Sequence, residues 1–77
     1  MRSDMKVEEG KWYKCIKTIC QYSYGQMIPF VEGIKYRLTH SFNYGVEHIL
    51  VDEKGIRSPF NIMDNNFEGF FEEIPDC

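Results

Sequence analysis

The sequence predicts an all-β domain: four or five short strands bent into one small, partly open barrel. Three observations predict it. Apolar and polar residues alternate in short runs, as in Ile34, Tyr36 and Leu38 against Lys35, Arg37 and Thr39. Gly and Pro punctuate the chain at close intervals, at Gly25, Pro29, Gly33, Gly45, Gly55 and Pro59. And 77 residues bury only roughly 60% of the surface an unfolded chain exposes, which allows a single core. A flat sheet of that size would offer two adhesive edges, so the economical solution is to curl it.

Residues 1–10, MRSDMKVEEG, read as a loose polar tail, and residues 11–77 as the single domain. Lys11–Cys20, KWYKCIKTIC, is rich in β-formers and reads as the first strand. Both of its faces carry bulk, so it is expected to be central or covered. Gln21–Pro29, QYSYGQMIP, reads as a long connection broken by Gly25 and Pro29. It is unusually apolar for a loop. Either it folds over one end of the barrel and plugs it, or it presents its aromatic side chains to a partner.

Phe30–Ser41 reads as a half-buried strand after a turn at Glu32-Gly33. A second turn at Phe42–Gly45 leads into a strand over Val46–Glu53. Asp52–Gly55, DEKG, reads as a hairpin turn with Gly at the left-handed position. Ile56–Phe60 returns as a short strand that is an edge or ends at Pro59, because proline donates no ladder hydrogen bond. Asn61–Asn66 has room for one 3₁₀ turn. Phe67–Ile74 has the 3–4 apolar spacing of a short helix, but Gly69 and its length favour a last strand or extended closure over Phe70–Ile74.

Charge is uneven. Residues 1–40 hold seven Lys and Arg against four Asp and Glu, and residues 41–77 hold two against eight. The acidic half suits a basic partner surface, or serves as a solvated face. With 16% aromatic residues the chain is not of disordered composition. No run approaches the ~20 apolar residues of a membrane helix. No apolar stretch follows Arg2 as a signal peptide requires. Cys15, Cys20 and Cys77 are an odd number, so a disulfide framework is not expected and the cytoplasm is the expected compartment. Cys77 is expected free and able to form an intermolecular disulfide.

The residue types for chemistry do not assemble into a motif. Cys15 and Cys20 have opposite strand parity, and neither they nor His40 and His48 have zinc-site spacing. Cys15, His40, His48 and Glu47 supply nucleophile, base and carboxylate in type only. Glu72-Glu73 and Asp52-Glu53 are adjacent pairs that face opposite ways on a strand. No enzyme activity, cofactor or metal is therefore expected. Nucleic-acid binding is the rival reading: Lys11, Lys14, Lys17, Lys35 and Arg37 as a basic patch, with Trp12, Tyr22 and Tyr24 stacking bases. Against it stand the net charge of −3 and the acidic second half.

The motifs KCI at Lys14–Ile16, Gly33 with Tyr36, Asp52 with Gly55, Phe60, and the acidic Phe run containing Phe67 and Phe71 occur in that order over residues 11–74. In this the chain resembles the small SH3-like barrel proteins encoded by phages and prophages of Gram-positive bacteria. That resemblance implies a five-stranded SH3-like barrel and a phage protein that binds and inhibits a host bacterial protein. The target would be a defence system such as a CRISPR nuclease, met in the host cytoplasm. The expected contact surface is an acidic face of Glu68, Glu72, Glu73 and Asp76, with Tyr22, Tyr24 and Tyr44 as aromatic anchors. The expected state is a monomer or weak homodimer.

Overall fold

The structure is a computed structural model that describes residues 7–42, 44–63 and 65–75. It is an all-β fold of two antiparallel sheets. The strands are β1 (Trp12–Cys15), β2 (Ile19–Ser23), β3 (Gln26–Phe30), β4 (Lys35–Phe42), β5 (Glu47–Asp52), β6 (Arg57–Asn61) and β7 (Phe71–Glu73). One helical turn, α1 (Phe67–Phe70), precedes β7. Five strands form one sheet in the order β6-β5-β4-β1-β7, and β2 and β3 form a separate ribbon.

The sheet is not a closed barrel. β6 and β7 are its two edges and share no ladder. They meet through side chains instead: the rings of Phe60 on β6 and Phe71 on β7 stand edge to face at 5.2 Å. Pro59 lies on the β6 edge, where its missing N–H costs no ladder bond.

Alternation fixes which side chains enter the core. Tyr13 and Cys15 on β1, Tyr36 and Leu38 on β4, Leu50 on β5 and Phe60 on β6 are buried, while Lys14, Lys35 and Arg37 between them face outward. Six of the nine core residues are aromatic. Few large rings therefore fill the space that a chain this short cannot fill with many aliphatic side chains. Phe67 and Phe71 stack at 4.6 Å because one helical turn sets them four residues apart on the same side.

Four expectations change. The first strand stops at Cys15, where Gly33 N–H donates to the Cys15 carbonyl at 2.7 Å and Ile16 N–H to the Phe70 carbonyl at 2.8 Å. The chain then leaves the sheet. The supposed connection 21–29 is itself a hairpin, turned by Tyr24 and Gly25 with φ of +51° and +76°. Two positive φ values are what a two-residue turn needs to match strand twist.

The helical turn lies at Phe67–Phe70 and is α rather than 3₁₀; at Asn61 the side-chain Oδ1 instead accepts from Met63 N–H at 2.8 Å, a local turn. Nor are residues 7–10 loose. Gly10 N–H donates to the Leu38 carbonyl, and the Glu9 carboxylate accepts from Ser41 N–H. The DEKG turn forms as expected: Asp52 Oδ1 accepts from the N–H groups of Lys54 and Ile56, both at 2.9 Å, and Gly55 has φ +88°.

Candidate functional site

The β2–β3 ribbon has two unlike faces. Its inner face carries Ile19, Gln21, Ile28 and Phe30, which are buried or half-buried against the core. Its outer face carries Cys20, Tyr22, Met27 and Pro29, all exposed. Cys20 pairs with Pro29 and Tyr22 with Met27 in register. Tyr22 is 72% and Met27 62% exposed, so this is a displayed apolar pair rather than a plug. The ribbon both covers one end of the core and presents aromatic surface.

The ribbon is held in place by polar anchors. Gln21 Nε2 donates to the Asn61 carbonyl at 2.9 Å, and Gln21 Oε1 accepts from Asn61 N–H at 2.8 Å. At the turn, the Tyr24 hydroxyl donates to Glu47 Oε2 at 2.6 Å. The acceptor carboxylate favours the protonated phenol, which raises the Tyr24 pKa. Glu47 is buried and follows Tyr44 by three residues, so the Tyr24 and Tyr44 turns lie at one end of the molecule. Tyr44 is fully exposed. Met63, just past β6 and highly exposed, extends the same end. Tyr24 and Tyr44 are the two non-glycine residues with positive φ among the described residues. Both stand in turns, and a left-handed backbone at a non-glycine residue costs roughly 1–2 kcal/mol.

Among the described acidic residues, Glu72 and Glu73 do not share a face. Glu72 and Glu73 leave β7 on opposite sides, and each meets a lysine of the first strand region: Glu72 lies 3.9 Å from Lys14 and Glu73 pairs with Lys11. The Lys11 ammonium is held above its usual pKa, chiefly by that hydrogen bond to Glu73. Glu68 stands on α1, at the rim of a hollow of about 430 Å³ lined also by Val7, Gly45, His48, Ile62, Asn66 and Phe67. Asp76, like Cys77, lies outside the described residues. The Tyr24 and Tyr44 turns are thus brought to one end, whereas Glu72 and Glu73 face opposite ways and are each partly neutralised by a lysine.

His48 forms the floor of that hollow. Its Nδ1 lies 2.8 Å from Ser41 Oγ across the β4–β5 ladder, and its ring stands edge to face on Phe67 at 5.3 Å. Burial lowers the His48 pKa. Cys15 is fully buried, its thiol donates to the Lys17 carbonyl at 3.2 Å, and burial pushes its pKa up, away from a reactive thiolate. Among the described residues no group of three His, Cys, Asp or Glu side chains is placed to hold a metal ion, and no helix is long and apolar enough to cross a membrane.

Sequence reasoning missed Gln21 as the clamp of the ribbon and Met63 as part of the apolar end. A lone Gln in a polar-aromatic run carries no signal of its partner forty residues away. Comparison with protein-family models, curated proteins and solved structures found no match.

Proposed function

We propose that this protein is a non-enzymatic interaction module that grips a protein partner with the outer face of the β2–β3 ribbon and the tyrosine turns beside it. The observation that carries this reading is the displayed pair Tyr22 and Met27 on a ribbon whose other face is clamped to the core by Gln21. A rigid scaffold presenting aromatic and Met side chains loses little entropy on binding, and such side chains dominate interface energetics. The resemblance to phage-encoded barrels supports the finer reading: a host bacterial protein as the partner, inhibition as the outcome, and the host cytoplasm as the place. With Glu72 and Glu73 engaged by Lys14 and Lys11, burial at the ribbon rather than an acidic face supplies the grip.

The test is differential capture from a Gram-positive host lysate. Wild type and the Tyr22→Ser/Met27→Ser variant are compared by mass spectrometry, and the captured protein is then assayed for its own activity. The double variant should lose the partner while melting near the wild-type temperature. Equal capture by both proteins rejects the ribbon as the binding surface. A partner whose activity is unchanged on binding rejects inhibition.

A further inference from the structure

The outer face of the five-stranded sheet carries a second surface built from other residues. Register places Arg57, Val51, Arg37 and Trp12 side by side across β6, β5, β4 and β1. In the next row Lys35 and Lys14 stand directly opposite each other. Like charges directly opposite on an antiparallel pair are destabilising. Lys14 is partly compensated by Glu72 at 3.9 Å. Among the described residues, no carboxylate lies within ion-pair distance of Lys35, Arg37 or Arg57. A hollow of about 250 Å³, lined by Trp12, Lys35, Glu53 and Ile74, opens beside the indole. At the other end of β4 the exposed rings of His40 and Phe42 sit 5.7 Å apart.

We propose that this face binds single-stranded nucleic acid, with Lys35, Arg37 and Arg57 holding phosphates and Trp12, His40 and Phe42 offering rings to unpaired bases. Charge and ring placement together select this occupant. The unpaired cations complement a polyanion, and the rings at the end of their row and at the far end of β4 complement bases that are free to stack. A duplex would use the cations alone, because its bases are already stacked. The strip from Lys35 to Phe42 is about 23 Å long at ~3.3 Å per residue, matching the short end of single-strand sites on small β-folds. Glu53 and Glu72 border the strip and confine it to few phosphates. Neutralising three of them gives a log–log salt slope of about −2 for a single strand.

This surface shares no residue with the ribbon face, so the two readings fail independently. The test is fluorescence anisotropy of a labelled oligothymidylate that spans the strip, with reductant present. The chain has one Trp, so stacking at Trp12 is read directly as quenching of its emission. Binding at low salt should weaken with the shallow slope above and quench the indole. Lys35→Glu/Arg37→Glu should weaken it at least tenfold, and Trp12→Ala at least fivefold, in variants whose circular dichroism matches wild type. Tyr22→Ser/Met27→Ser should leave it unchanged. Three outcomes overturn the proposal: no binding at low salt, binding untouched by the charge reversal, or equal binding to a duplex with no change in tryptophan emission.

Discussion

The side chain of Gln21 pairs with both backbone groups of Asn61, donating from Nε2 and accepting at Oε1. It thereby mimics one rung of a β-ladder on the exposed side of the β6 edge. A primary amide matches a peptide unit in having one acceptor and at least one donor side by side. Together with the packing of Phe30, Ile19 and Ile28 on the core, this contact holds the β2–β3 ribbon as a lid on the sheet and shields an edge that would otherwise invite pairing with another chain.

Gln21→Ala is therefore expected to destabilise the fold by about 1–3 kcal/mol, since it strands partly covered backbone groups of Asn61. Urea unfolding measures the loss. Amide exchange should locate it, with Asn61 and the ribbon gaining exchange ahead of Leu38 and Leu50. Uniform protection across the ribbon in the variant would show that the clamp is dispensable.

Tyr44 sits at φ +58° with its side chain fully in solvent. Tyr44→Asn should raise stability by about 1 kcal/mol, because Asn tolerates the left-handed region that costs other residues ~1–2 kcal/mol. The same change should weaken partner capture if Tyr44 is an anchor. A melting temperature that falls would reveal a packing role for the phenol.

His48 gives a pH dependence with a definite sign. Burial lowers its pKa, so the folded state binds the proton less readily than the unfolded chain. Its contribution is fully present above the unfolded value near 6.5. That contribution is lost as pH falls from there through the depressed folded value. Proton NMR should show the His48 ring titrating below 6.5, and His48→Phe should flatten that part of the stability profile. A ring that titrates above 6.5 would contradict the burial seen here.

The stacked pair Phe67 and Phe71 joins α1 to β7 and receives the edge of Phe60. Phe71→Ala should cost about 3–5 kcal/mol. A 77-residue chain has about 4–12 kcal/mol in total at 0.05–0.15 per residue. Much of the population should therefore be unfolded in mild urea, whereas Phe71→Leu should retain a cooperative transition.

Glu73→Lys would set two ammonium groups together at the pair now formed with Lys11. The melting temperature should drop at low salt, and added salt should narrow the gap, because exposed charges are screened. A gap that is the same at all salt concentrations would point to packing rather than charge.

Local pattern made much of the fold legible. The alternation in β4 named Tyr36 and Leu38 as core. Asp52 to Gly55 named its own turn, and Pro59 named its own edge. Each of these depends on residues within a few positions of one another. The ribbon was misread because Gly25 and Pro29 look like breakers, yet Gly25 supplies the positive φ of a tight turn and Pro29 lies on a two-stranded ribbon in which every strand is an edge. Tyr22, Tyr24 and Tyr44 were visible as aromatic residues in a loop and a turn, but the strand that carries Tyr22 and the nearness of the Tyr24 turn to Glu47 were not.

The sequence by itself determined the all-β class and the period-two choice of core residues, because each follows from short-range sterics and solvation. Only the tertiary structure decided which charges meet. It paired Glu72 and Glu73 with Lys14 and Lys11, clamped Gln21 onto Asn61, and aligned Arg57, Arg37 and Trp12 in one row. Strand order and register set those neighbours, and they depend on long-range packing of the aromatic core, which no local pattern encodes.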